Sequence, residues 1–361
     1  MSITDQQVVR SGGGSAAAVR RLARLTAQFG LKIAHRRDLT IRRLRCGKGF
    51  SFVDPGGRRI TEASTLARLK SLAVPPAYRD VRYAQKADAH LQAVGRDAAG
   101  RLQYRYHADW EKVREQRKAR RLTQLVAALP KIRRSVSQRL SASEPTREFA
   151  LSAVIELIAR TAIRPGNESY TRLHGSRGAT TLLKSNVSIE DDCIVLAFRA
   201  KGGKAVQKEC DAQRLVRAFE LLLTLPGRRL FQYRNEEGEV QPVSSAQVNA
   251  FLRQIAGVRI SLKDFRTLMA SAAVMESLAR VTPAPSARGR NRQIMDAVKA
   301  SAEELANTPT ICRKSYVHET VVTAFEEGLL ERFSSGLKRC RSPAGREQVL
   351  LQVISLSASG N

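Results

Sequence analysis

Apolar residues recur at helical spacing near the start of the chain, at Val19, Leu22, Leu25 and Phe29, and predict a helix over 16–29. The period then shortens. Leu39-Thr40-Ile41 and Phe50-Ser51-Phe52-Val53 alternate as strands do and run into the turn signal Asp54-Pro55-Gly56-Gly57. Further strands are predicted over 81–83, 91–95 and 102–106, the last two joined by Asp97-Ala98-Ala99-Gly100. This is the pattern of a small, mostly antiparallel β domain with a helix or two. From Glu111 to Leu122 charge becomes dense, which predicts an exposed helix and a domain junction. Helical periodicity dominates beyond it, over 149–161, 213–225, 245–256, 264–278 and 292–305. A strand pair, 193–199 and 205–209, interrupts that run around Ala200-Lys201-Gly202-Gly203-Lys204, with glycines where a turn needs positive φ.

The expected fold is therefore α+β: a β-rich domain over 16–112 and a larger, mainly helical domain over 113–335 with a short β-hairpin. A flexible tail is expected over 1–15, where Ser11-Gly12-Gly13-Gly14-Ser15 stands, and a weakly ordered basic tail over 336–361.

Charge adds a partner. Sixty-two Lys and Arg against 33 Asp and Glu leave a net charge of +29, more than half of it within the first 120 residues, which points to a polyanion. No stretch approaches 18 consecutive apolar residues, and the basic residues are scattered among apolar and aromatic ones, so nucleic acid is favoured over a membrane surface. The start, Met1-Ser2-Ile3-Thr4-Asp5, lacks a signal peptide's apolar core, so a cytoplasmic, nucleoid-associated protein is expected. Five widely spaced cysteines without a Cys-x-x-Cys pair, and five dispersed histidines, suggest neither a metal site nor a disulfide framework. Lys201-Gly202-Gly203-Lys204 lacks the spacing of a nucleotide-binding loop, so no cofactor is expected.

Four segments of the second domain hold residues suited to phosphoryl chemistry. They are Ile163-Arg164-Pro165-Gly166-Asn167-Glu168 followed by Tyr170, and Phe198-Arg199-Ala200-Lys201-Gly202-Gly203-Lys204. Then come Lys263-Asp264-Phe265-Arg266-Thr267, and Asn307-Thr308-Pro309 with Arg313-Lys314-Ser315-Tyr316-Val317-His318. Arginine forks bind phosphate oxygens in pairs and stay charged, a lysine at a turn can reach a leaving oxygen, and a tyrosine offers an oxygen nucleophile. In this order the segments resemble the type IB DNA topoisomerases, particularly their compact bacterial and poxvirus members. The resemblance extends to Gly95-Arg96-Asp97-Ala98-Ala99-Gly100-Arg101-Leu102-Gln103-Tyr104-Arg105-Tyr106, which is similar to a run in the family's first domain, and covers roughly 30–325.

The resemblance implies an enzyme that cuts one strand of duplex DNA through a 3′-phosphotyrosyl link, lets it swivel and reseals it, without ATP or metal. Tyr316 would be the nucleophile, Arg164 and Arg266 the phosphate-bracing arginines and Lys201 the general acid, with Asn307 hydrogen-bonding the transition state. It also implies DNA contacts by Gln103, Tyr104 and Tyr106 and a monomer that clamps the duplex; Arg101 and Arg105, interleaved with those aromatics, fit phosphate positioning, and Lys204 reads as a phosphate contact or as solvated surface. The chain departs from the pattern at Asn307, where poxvirus and eukaryotic members carry His, at Pro165 after the first arginine, at Ala200 in place of Gly, and at Leu268. An amide can donate a hydrogen bond but cannot act as an acid or base. Two other readings stay open. Tyrosine recombinases share this chemistry but usually carry His where Lys263 stands, and a basic DNA-binding protein could keep the fold without catalysis.

Overall fold

The computed structural model describes residues 16–340 and 342–356, so the expected tail over 1–15 lies outside the described residues. The chain divides into two compact units, 1–117 and 118–361. The boundary falls five residues beyond the one expected, because α3 (Trp110–Arg139) is one continuous 30-residue helix rather than a short connector.

The first unit is built on a five-stranded antiparallel sheet of order β2-β1-β3-β4-β5. It comprises α1 (Ala16–Ala27), β1 (Leu39–Cys46), β2 (Gly49–Val53), α2 (Ala63–Ser71), β3 (Arg79–Ala84), β4 (Leu91–Arg96) and β5 (Leu102–Tyr106). Alternation gives the sheet two apolar faces. Ile41, Phe52, Val81, Tyr83 and Ala93 pack with Leu69 of α2 on one side, and Leu39, Ala84, Leu91 and Val94 cluster on the other. Helix α1 lays Leu22 and Leu25 against Leu31, Trp110 and Val113.

The second unit is mainly helical, and one large core runs through it. After α3 come α4 (Arg147–Thr161), α5 (Glu168–His174), β6 (Val187–Glu190), β7 (Cys193–Arg199), β8 (Ala205–Cys210), α6 (Gln213–Thr224), β9 (Gln232–Arg234) and β10 (Val240–Pro242). The chain continues through α7 (Ser245–Ala256), α8 (Leu262–Leu278), α9 (Ala287–Glu304), α10 (Pro309–Ser315), α11 (Glu319–Glu326), α12 (Glu331–Arg339) and α13 (Pro343–Leu356). Helix α4 is buried on nearly every face, so it forms the axis about which the others pack. The expected strand pair is the β7–β8 hairpin, with β6 added along β7 to make an antiparallel sheet of three.

The expectation of a weakly ordered tail over 336–361 is corrected by α12 and α13 as far as residue 356, while 341 and 357–361 lie outside the described residues. Leu350, Val353 and Ile354 recur at helical spacing and are buried, while Arg133 and Arg346 pair with Glu347 and Glu276 at 2.6 and 3.0 Å. Of the basic residues that suggested a solvated tail, Lys338 and Arg339 lie exposed in the last turn of α12, and Arg346 is tied into the fold by its pair with Glu276.

Candidate active site

Three helix ends converge in the second unit. Helix α4, opened by the Thr146 hydroxyl accepting from the Phe149 amide at 3.3 Å, ends at Ala162 in the left-handed region, φ 50°. Helix α9 ends at Leu305 and is followed by Ala306, also left-handed at φ 48°. Alanine in this conformation costs about 1–2 kcal/mol each. Both turns expose helix C-terminal carbonyls, the negative end of the helix dipole. Two arginines sit on them.

Arg266, on α8, is 1% exposed; its Nη1 donates to the Ala162 carbonyl and its Nη2 to the Leu305 carbonyl at 2.9 Å. Arg164, three residues beyond α4's last turn, donates from Nη1 to the Ala306 carbonyl at 3.4 Å and from Nη2 to Asn307 Oδ1 at 2.5 Å. Neither guanidinium forms an ion pair among the described residues. Carbonyl dipoles hold the two forks but do not neutralise them. Burial pushes the Arg164 pKa down, the Arg266 charge adds to that, and Tyr316 opposes it. Arg164, Arg177, Lys208 and Arg266 line one small cavity with Glu304.

Helix α8 begins with Asp264 Oδ2 accepting from both the Ser261 amide and the Ser261 hydroxyl, at 2.7 and 2.9 Å. Asp264 thus fixes the helix start, and Lys263 and Arg266, three apart, project from one face. That face meets Tyr316. The Arg266 guanidinium carbon lies 4.9 Å from the Tyr316 ring centroid and Lys263 Nζ 5.4 Å from it. Burial works to raise the Tyr316 pKa, but the charges of Arg266, Lys263 and Arg164 outweigh it and hold the phenol below its ordinary value of 10.0.

The nucleophile candidate itself arrives by a short path from Asn307. Thr308 caps α10, Pro309 occupies its first turn, and Tyr316 terminates it. Asn307 is 8% exposed; its oxygen accepts from Arg164 and its buried Nδ2 has no partner. Arg266 Nε is likewise buried without a partner, so the site holds two donor groups still unused.

The hairpin residues stand apart from the phenol. Lys201 and Lys204 are exposed in the β7–β8 turn, where Gly202 and Gly203 adopt φ 81° and 76°. Lys201 Nζ lies 5.2 Å over the Tyr170 ring and is not among the groups acting on Tyr316. The hairpin is tethered to the Arg164 loop through the Arg177 amide donating to the Arg199 carbonyl at 2.8 Å. Beside it Gly178 lies against Gly166, so close that a Cβ on Gly178 would fall 2.4 Å from the Arg164 carbonyl oxygen.

In the first unit, strand alternation separates the residues grouped by the sequence. Tyr104 and Tyr106 lie on one face of β5, with ring centroids 6.4 Å apart, and Tyr106 stacks 5.8 Å from Trp110. Gln103 and Arg105 point to the other face, where Gln103 donates to Asp97 Oδ2 at 2.9 Å and Arg105 to the Ala73 carbonyl at 3.1 Å. Arg101 pairs with Asp97 at 2.9 Å. Lys263 facing the tyrosine ring was legible only as a motif letter; its spacing of three from Arg266 was the available signal.

Comparison with known proteins decides the family. Residues 106–341 match the family described as eukaryotic DNA topoisomerase I, catalytic core. The chain belongs to the type IB DNA topoisomerases. Residues 49–97 match the bacterial DNA topoisomerase IB N-terminal domain. Among its relatives is the DNA topoisomerase 1B of Acanthamoeba polyphaga mimivirus, 28% identical over 259 residues, which cover 70% of this chain and 77% of that one. The DNA topoisomerase 1B of vaccinia virus is 24% identical over 242 residues, 66% of this chain and 73% of its own. Among the described residues no helix of the enzyme is long and apolar enough to cross a membrane.

Proposed function

We propose that the enzyme relaxes supercoiled duplex DNA through Tyr316. The phenolate oxygen attacks a backbone phosphorus, the bond from phosphorus to the 5′ oxygen breaks, and Lys201 gives that oxygen its proton. A 3′-phosphotyrosyl link and a 5′ hydroxyl result; the duplex swivels, and the hydroxyl attacks back to restore the strand. Arg164 and Arg266 hold the non-bridging oxygens, and the unused Nδ2 of Asn307 supplies one further hydrogen bond to them. The covalent link conserves the bond's energy, so the cycle calls for neither ATP nor metal.

The observation that carries this reading is Arg266 set 4.9 Å from the Tyr316 ring while Arg164 acts on the same phenol. Cations there do two jobs: they favour phenolate and await the phosphate. Lys201 would leave Tyr170 for the 5′ oxygen once DNA fills the site. In the first unit, Tyr104 and Tyr106 present an aromatic face suited to base edges, and on the opposite face of β5 Gln103 suits a base and Arg101 and Arg105 suit phosphates; in the second unit Lys204 suits a phosphate. The enzyme would act as a monomer whose two units grip the duplex, in the cytoplasm at the nucleoid.

The test is direct. Wild-type protein should relax a supercoiled plasmid in EDTA without ATP and leave a denaturation-resistant DNA adduct. Tyr316→Phe should do neither; relaxation persisting in that variant would remove Tyr316 from the mechanism.

A further inference from the structure

Tyr316 sits just past the regular turns of α10, at φ −127° and ψ −33°, so the helix alone does not fix its backbone. Two side chains from elsewhere do. The Ser271 hydroxyl donates to the Tyr316 carbonyl at 3.0 Å and accepts from the His318 amide at 3.0 Å. Lys118 Nζ donates to the intervening Val317 carbonyl at 2.9 Å. Three consecutive residues are thus held by partners on α8 and α3. A serine inside a helix ordinarily bonds back to its own preceding turn. Ser271, fully buried, instead turns both its donor and its acceptor outward to the tyrosine segment.

The helix that carries this serine also carries Lys263 and Arg266. One rigid rod therefore sets both the cations that face the ring and the backbone from which the ring projects.

We propose that Ser271, assisted by Lys118, is the positioning residue that registers Tyr316 against Arg266 before DNA arrives. The inference rests on Tyr316 being the nucleophile. Alanine at 271 would remove donor and acceptor together and leave a buried carbonyl and a buried amide without partners. The tyrosine would then sample orientations away from attack, where misplacement by about an ångström costs on the order of a hundredfold in rate.

The experiment measures single-turnover adduct formation by the full chain on an oligonucleotide duplex across neutral to alkaline pH, together with duplex affinity and melting temperature. Ser271→Ala should slow adduct formation by roughly ten- to a hundredfold with duplex affinity within about twofold. Its alkaline rise should move to higher pH, because the phenol then feels less of Arg266, Lys263 and Arg164. Lys118→Met should slow the reaction less, by roughly three- to tenfold. Ser152→Ala is the control: its hydroxyl, buried on α4, has no partner, so rate and pH profile should stay at wild type. Wild-type kinetics in Ser271→Ala would overturn the proposal, as would a slowing with an unmoved pH profile. Absence of any adduct from the wild type would instead overturn the assignment of Tyr316.

Discussion

Replacing Arg266 by lysine separates the charge at the site from the fork that carries it. The guanidinium is 1% exposed and spans two helix ends, one nitrogen on the Ala162 carbonyl and the other on the Leu305 carbonyl. A lysine keeps the cation but brings a single ammonium to a place built for two divergent donors, so one carbonyl loses its partner. A hydrogen bond to a charged group is worth about 1.5–3 kcal/mol, and in a unit of this size each kcal/mol lowers the melting temperature by about 2–4 °C. A fall of roughly 5 °C is expected by circular dichroism. The chemical cost should be larger. Losing one preorganised donor to a transition-state oxyanion slows catalysis by about 10²–10³-fold, read as single-turnover adduct formation well below the melting temperature. Tyr316 should also respond mildly, since the positive charge that holds its pKa down is retained. Adduct formation near the wild-type rate, alongside the expected loss of stability, would show that Arg266 only joins two helix ends and does not hold the phosphate.

Three further outcomes are expected. His318 caps α11 by accepting from the Thr320 amide at 3.2 Å, and burial, then Lys118, pull its pKa from 6.5 to about 4. The unfolded chain therefore binds the proton first, and roughly 3 kcal/mol of stability present above pH 6.5 should be lost as pH falls toward 4; His318→Asn, which keeps a capping acceptor, should flatten that slope in acid melts. Gly178→Ala keeps an extended backbone that any residue adopts, but its Cβ would meet Gly166 N at 2.5 Å. The Arg164 loop must then shift, with a loss of about 1–3 kcal/mol and at least tenfold in adduct formation; an unchanged rate would mean the loop tolerates displacement. Lys201→Ala should slow cleavage of ordinary DNA by about 10²–10⁴-fold, yet cleave a substrate with sulfur at the bridging 5′ position near the wild-type rate, because a thiolate leaves without a proton. If sulfur fails to rescue, Lys201 is not the acid.

Much of this architecture could be read from local pattern. The strands of the first unit, the β7–β8 hairpin and α4, α7 and α8 follow from period and punctuation within a few residues. The four segments brought Tyr316, Arg164, Arg266 and Asn307 to attention through order and residue type. Local pattern could not show what the arginines rest on. The Arg266 partners lie 104 and 39 residues away and are main-chain carbonyls, so no side-chain identity announces them. Ser271 was invisible for the same reason, since a serine within an apolar helical run looks like any small core residue. The docking of α13 was available in the spacing of Leu350, Val353 and Ile354, but the charges around them spoke louder. On β5, the grouping of Gln103 with its tyrosines ignored a period of two that places neighbours on opposite faces.

The two left-handed alanines that turn helix ends toward the arginines have a bearing on how this enzyme could be engineered. Glycine at 162 or 306 would release the steric penalty of positive φ, and after its own entropy in the unfolded chain the net gain could reach about 1 kcal/mol per position. The same exchange would free the two hinges whose carbonyls aim Arg266 and Arg164. Selection on heat resistance alone would therefore be drawn to these positions and trade turnover for melting temperature. A stabilisation campaign should hold both alanines fixed and look to the outer faces of α12 and α13 instead.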